Sequence, residues 1–350
     1  MNPRTIVAIA TIGLSLGACA ENEIPLKWQT DCVGRLVFDL PGAAEIATYE
    51  IMDLMSRSKA KRLSFSDGQS ASWGSGGFLG TAKTISGNTD DEVQAYIEKR
   101  KQIRDGYRRK LNGNSSYRDL DAEDKDGFSF RADDVDILFV RNGRTLFSWS
   151  GYSGISQEEA EKNYKTVLSG LRPRPLFDVP HEPGVCLPYA FIRDDGATPR
   201  HIGMTYRLVE HPDITIWLED ANAAGYGPHT KKGVLEPEYT AAYFWTNRYN
   251  AAKAFESLWP DDFKYTDING RKAVETFVKL KRYDTDTIDY GYLAVMRGDP
   301  DAREDTPDIM LYVIRDADNA TRRGIAPMPK EDFLKLARQV AYSVKRRPVQ

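Results

Sequence analysis

The chain has 350 residues, a formal charge of -3, and 41% hydrophobic residues. That length is enough for two domains of ordinary size, each with its own core. Acids and bases are interspersed, without the basic excess expected of a nucleic-acid or electrostatic membrane-surface binder. No cofactor or small-molecule substrate is implied by composition.

The first residues form a targeting signal. Met1 to Arg4 carries one positive charge, Thr5 to Leu16 is apolar or small, and Gly17-Ala18-Cys19 follows. This is the pattern of an export signal, too short to span a bilayer. Leu16-Gly17-Ala18-Cys19 matches the bacterial lipobox: small residues suit the peptidase cleft, and the Cys19 thiol accepts the lipid. The expectation is a signal peptide over 1–19, lipid attachment at Cys19 and a short tether over 20–30. With Ala20 following, the expected location is the periplasmic side of the outer membrane.

Cys32-Val-Gly-Arg-Leu-Val-Phe-Asp-Leu-Pro41 reads as one buried strand, opened by a cysteine and closed by a proline. Glu45 to Met52 reads as another strand, and Arg62 to Phe65 as a further one. Trp73-Gly-Ser-Gly-Gly-Phe-Leu-Gly80 is glycine-rich but lacks the lysine of a phosphate-binding loop; it reads as a mobile surface loop. Thr89 to Glu92 is a capping box for a helix running to about Leu111, with Val93, Tyr96, Ile97, Ile103 and Tyr107 as its apolar stripe. Its charged face, Glu98 to Lys101 and Arg108 to Lys110, reads as solvated or as part of a partner surface. Asp119 to Gly127 is acidic but lacks the glycine and glutamate of a calcium loop, so no metal is expected. Asn142-Gly143 between Val135–Arg141 and Thr145–Trp149 predicts a hairpin. Ser156 to Glu159 caps a second helix, which stops at Arg172-Pro173.

Residues 177–185 are proline-rich and read as a linker. The pattern then restarts. Cys186-Leu-Pro-Tyr-Ala-Phe-Ile-Arg-Asp194 is a looser echo of the first cysteine strand. Strands are expected at Ile202–Val209 and Ile214–Glu219, a helix within Pro237–Trp259, and an antiparallel run at Lys272–Lys281, Tyr290–Arg297 and Asp308–Arg315. A last helix opens at Pro329 and buries Phe333, Leu336, Val340 and Val344. The basic-proline tail after each closing helix, Leu171 to Pro175 and Val344 to Pro348, completes the repeat. The fold class expected is α+β: two tandem related modules, 31–176 and 186–348, each a mainly antiparallel sheet with packed helices.

With Cys19 acylated, Cys32 and Cys186 remain. In an oxidising compartment they are either bridged, joining the first strand of one module to that of the other, or two buried free thiols. A loop this long would stabilise the fold by about 4–5 kcal/mol in the chain-entropy model.

The chemistry-bearing patterns are weak. Beyond the export signal there is no Gly-x-Ser-x-Gly elbow; Ser153 in Ser150-Gly-Tyr-Ser-Gly154 misses it by one place. The histidines at 181, 201, 211 and 229 lie in loops or near proline without metal spacing. Asp284-Thr-Asp-Thr-Ile-Asp289 offers paired carboxylates, which only spatial separation can qualify. No catalytic residue is assigned.

The opening Cys32 to Pro41, and Glu182-Pro-Gly-Val-Cys186 leading into Phe191-Ile192, resemble the two module openings of the type VI secretion lipase immunity family. The likeness covers about residues 30–348, and departs from the family pattern at Pro188-Tyr189. What it implies is a two-domain periplasmic protein that grips a phospholipase effector and blocks its substrate entrance, needing no catalytic residue and no cofactor. Exposed loop aromatics would be the natural anchors, with Trp73, Phe78, Trp149, Tyr152 and Tyr226 as candidates. The competing expectation is an envelope lipoprotein with a structural or assembly role and no toxin partner.

Overall fold

A computed structural model describes residues 27–51, 55, 63–71, 74–111, 117–120, 122, 126–223, 237–248, 252–283 and 285–350. The first half runs β1 (Trp28–Val33), β2 (Leu36–Pro41), β3 (Ala44–Ile46), β4 (Thr48–Glu50), β5 (Leu63–Ser64), β6 (Ser70–Ala71), β7 (Ser75–Phe78), β8 (Gly80–Ser86), α1 (Asp90–Leu111), β9 (Tyr117–Leu120), β10 (Gly127–Ala132), β11 (Val135–Asn142), β12 (Thr145–Gly151), α2 (Gln157–Gly170) and β13 (Leu171–Pro173). The second half runs β14 (Gly184–Leu187), β15 (Ala190–Arg193), β16 (Arg200–Leu208), β17 (Ile214–Ala221), α3 (Pro237–Tyr243), a π-helical turn (Phe244–Arg248), β18 (Ala252–Ser257), β19 (Lys264–Ile268), β20 (Arg271–Arg282), β21 (Ile288–Met296), β22 (Asp308–Arg315), α4 (Ala317–Arg322), α5 (Lys330–Ser343) and β23 (Lys345–Arg346).

The two cysteine segments are hairpins, not single strands. Gly34 and Tyr189 take positive φ, at 56° and 55°, and turn the chain there. Such a φ is natural for glycine but unusual for tyrosine. At Gly34 a side chain would also run into the Asp220 carboxylate. The apolar residues on both sides of each turn hid the break. The hairpins share one register: Cys32 faces Val37 and Cys186 faces Phe191.

Each hairpin gains a third strand from the other half. β13, which ends the first half, pairs with β15; β23, which ends the second, pairs with β2. The helices ahead of these strands are 14 residues each and follow the same rule. α2 packs on β15 and α5 packs on β2. The repeat is therefore interlocked: each half's closing helix and strand complete its sibling's opening hairpin.

The remaining strands form one continuous sheet across both halves, in the order β9-β10-β11-β12-β8-β7-β16-β17-β22-β21-β20, with β18 and β19 along the far edge of β20. β3 extends the seam on β16, and β4 pairs parallel to β8. One face, with Phe147, Leu218 and Ile216, packs against the hairpins, α2 and α5. On the other face α1 covers Phe128, Phe139 and Leu146, while α3 covers Trp217, Leu293 and Tyr312.

The glycine-rich stretch read as a surface loop is β7, the strand that carries the seam. A side chain at Gly76 would strike the Ala82 carbonyl, and one at Gly80 would strike the Ser150 carbonyl and the Trp149 indole. The glycines are there because neighbouring backbone comes too close for a Cβ. The strand expected over Glu45–Met52 is broken into β3 and β4 about Ala47. The residues read as a linker are pinned: the Arg347 guanidinium donates to the carbonyls of Pro180 at 2.5 Å and Glu182 at 2.8 Å.

Several local expectations hold. The Thr89 hydroxyl accepts from the Glu92 amide at 3.2 Å, and the Glu92 carboxylate from the Asn88 amide at 2.8 Å. The Ser156 hydroxyl accepts from the Glu159 amide at 3.1 Å. The Asn142-Gly143 hairpin joins β11 to β12, with Gly143 at φ 56°.

Candidate interaction surfaces

The hairpins meet at a buried hub. Cys32 and Cys186 form a disulfide, and Gly34 and Cys186 exchange backbone hydrogen bonds at 2.9 and 2.8 Å. Val37 and Phe191, the residues opposite the two cysteines, pack around the bond. The two tail arginines reach back to their own halves. Arg174 donates to Asp31 Oδ1 at 2.5 Å, and Asp31 Oδ2 accepts from the Tyr206 hydroxyl at 2.7 Å; all three are buried. Burial works against the Arg174 charge, but Asp31 outweighs it and the pKa is raised. Arg347, with carbonyls in place of a carboxylate, is pushed down by burial to about 10. It closes onto the Gly184 carbonyl at 2.6 Å.

A second network ties the first hairpin to the sheet. Asp220 Oδ2 accepts from the Arg35 amide at 2.7 Å and from Arg200 Nε at 2.5 Å. The Arg35 guanidinium meets Asp194 at 2.6 Å, and Asp305 bridges Arg200 and Arg346 at 2.9 and 2.8 Å. Removing one member of such a buried pair typically costs about 3–5 kcal/mol. With the shared sheet, these contacts hold both halves as one body, so surfaces built from both are preformed.

Two surface depressions stand out. One lies within the second half, beneath α3 and over β16, β17, β21 and β22. It encloses about 380 Å³ and is walled by Tyr239 and Tyr243 of α3, Met310, and the His201–Glu219 pair. The two tyrosines stack at 6.1 Å and are nearly half exposed. The other depression is a groove of about 840 Å³ along α5, lined by Trp28, Leu334, Lys335, Arg338 and Tyr342. Half-exposed aromatics beside cations are the residue types that anchor protein interfaces. Neither place is prominent in the sequence. The i, i+4 spacing of Tyr239 and Tyr243 is the one signal that could have flagged the first.

The aromatic anchors expected from the sequence fare unevenly. Phe78 and Trp149 are wholly buried in the core, the Trp149 indole donating to the Phe78 carbonyl at 3.1 Å. A buried aromatic cannot serve as a surface anchor, so both are corrected to core residues. Tyr152 is exposed, on the β12–α2 loop. Trp73 and Tyr226 lie outside the described residues, as do Cys19, the signal peptide and His229.

Nor are the paired carboxylates gathered on one face. Asp289 is buried behind Arg282, Asp286 is exposed, and Asp284 is outside the described residues. Among the described residues no group of three or more His, Cys, Asp or Glu could hold a metal ion. Ser153 is exposed, and no helix among the described residues is long and apolar enough to cross a membrane.

Residues 178–348 match the family model described as Tle cognate immunity protein 4 C-terminal domain. The whole chain is similar in fold to the type VI secretion immunity protein TplEi of Pseudomonas aeruginosa, solved with an "L" peptide: TM-score 0.58, 16% identity, covering 92% of this chain and 99% of that one. It is similarly close to a chain of the Tle4-Tli4 complex: TM-score 0.57, 17% identity, covering 92% and 98%. At such identities the likeness is one of fold. No curated protein sequence matches the chain.

Proposed function

From a chain whose residues 178–348 match the Tle cognate immunity protein 4 C-terminal domain, and whose fold is that of solved type VI immunity proteins, we propose an immunity protein that binds a type VI lipase effector. The family match over the second half, together with a fold likeness spanning both halves, is the observation that carries this reading. In finer detail, the protein acts by covering the effector's substrate entrance and performs no chemistry of its own. It works in the periplasm, held by a lipid on Cys19, where a phospholipase would meet its substrate.

The architecture suits such a task. An inhibitor that acts by shape gains affinity when its surface is preorganised, because less ordering is left to binding. The interlocked halves and the disulfide supply that rigidity, and the cleft beneath α3 presents the half-exposed Tyr239 and Tyr243 on it.

Co-expression tests the reading. The exported chain is produced with a periplasmic phospholipase effector encoded beside it. Cells should survive, and the two proteins should co-elute on gel filtration. Continued killing with no complex would refute it.

A further inference from the structure

Helix α1 is partitioned by charge in a way the fold does not require. The twelve residues 99–110 hold seven Lys or Arg and one acid, within a chain whose net charge is -3. Three of the arginines are engaged with the sheet: Arg100, Arg104 and Arg108 lie over the rings of Phe139, Phe128 and Tyr117, at 5.6, 5.6 and 5.8 Å. The acids nearest these cations are already in ion pairs. Glu98 pairs with Lys101 at 3.2 Å and Asp105 with Arg104 at 2.9 Å, while Asp119 of β9 meets Arg108.

A separate line along the helix carries Lys99, Ile103, Gly106 and Lys110; Tyr107 borders it, its ring 6.3 Å from that of Phe130, and Arg109 stands one turn past Asp105. The spacing of 99, 103, 106 and 110 puts those residues in one line along the helix. Among the described residues no carboxylate is within ion-pair distance of Lys99, Arg109 or Lys110. Ile103 is 39% exposed and Tyr107 38%.

Gly106 interrupts this line with a position that has no side chain. Glycine within a helix costs about 1 kcal/mol relative to alanine, and here a Cβ would meet nothing within 4 Å. The fold has room for a side chain that the sequence does not supply. Its absence leaves a flat step between Ile103 and Lys110.

We infer that this flank of α1 seats the protein on an anionic phospholipid surface, its cations meeting headgroup phosphates while Ile103 and Tyr107 enter the headgroup layer. Unpaired cations beside half-exposed aliphatic and aromatic side chains are the chemistry of a helix lying in the membrane interface. Each such cation contributes modestly, so the contact orients a protein held there by other means and does not replace an anchor. The inference stands apart from the effector reading and holds or fails without it.

The test uses the full-length mature chain with Cys19→Ser, free of lipid, in co-sedimentation with vesicles. The wild-type flank should bind vesicles of phosphatidylethanolamine with phosphatidylglycerol, release them as salt rises, and ignore phosphatidylcholine alone. Combined Lys99→Glu, Arg109→Glu and Lys110→Glu should weaken binding on the order of a hundredfold. The charge-neutral glutamine version, with its melting temperature checked against the wild type, should fall between. Equal binding by all three, or no binding by the wild type, would overturn the inference. So would a charge reversal that spares vesicle binding but loosens a complex with the lipase effector, since the flank would then belong to a protein partner.

Discussion

At the scale of single residues, the fold depends on a few fully buried ionic groups, and one of them sets a pH response. Asp289 is buried and accepts from the Ala317 amide at 2.8 Å, with Arg282 at 3.5 Å. Burial first, and Asp316 second, push its carboxyl up to about 6; the Ala317 amide, Arg282 and Arg315 pull the other way. Between the ordinary carboxylate range and about 6, the folded chain keeps a proton that the unfolded chain has released. Its contribution therefore falls as pH rises through that window and is flat above it. The size is roughly 2–3 kcal/mol. Asp289→Asn, which keeps the acceptor for Ala317, should remove this slope from urea-unfolding free energies measured across about pH 4 to 7. An unchanged slope would show that the proton is held elsewhere. Nothing in the sequence marks Asp289 out from its neighbours Asp284 and Asp286, because burial is decided by strands far away in the chain.

At the scale of elements, what could be read from the sequence was what the chain settles locally. The Asn142-Gly143 turn, the capping residues Thr89 and Ser156, and the apolar face of α5 all follow from neighbours within a few positions. The misreadings have the opposite cause. Gly34 and Pro188-Tyr189 break their apolar runs because a positive φ is imposed there, and composition does not show it. β7 was hidden by its own glycines, Gly76 and Gly77, whose purpose is the close approach of the Ala82 and His201 backbone. β19 and α4 are too short to carry a period. The closing units were visible as a repeat, but their exchange was not: nothing in Leu171–Pro173 says that it pairs with Ala190–Ile192.

That exchange makes a definite expectation for divided chains. Residues 27–176 made alone would leave α2 and β13 without their hairpin, and β2 with an open edge, a template for aggregation. Residues 177–350 would be equally incomplete. Each piece should be insoluble or loosely folded by itself, and the two together in one cell should assemble into a soluble pair. Two separately soluble, cooperatively unfolding halves would contradict the interlocked repeat.

At the scale of the whole molecule, the interlocked halves, the bond from Cys32 to Cys186 and the continuous sheet make a single rigid body. Its exposed aromatics and cations sit on α3, along α5 and on the flank of α1. A body of this kind can block an enzyme by standing in front of it. Two depressions and a charged helix on one frame are compatible with contacting an effector and a membrane together.

Such blocking leaves a signature that sequestration does not. A phospholipase kept away from bilayers still cleaves a small water-soluble ester, whereas one whose entrance is covered cleaves neither. Titrating the partner effector with this chain, and following bilayer phospholipid and a short soluble ester in parallel, separates the two. The account predicts that both activities fall together and vanish at one equivalent. Full activity on the soluble ester at saturating protein would contradict it.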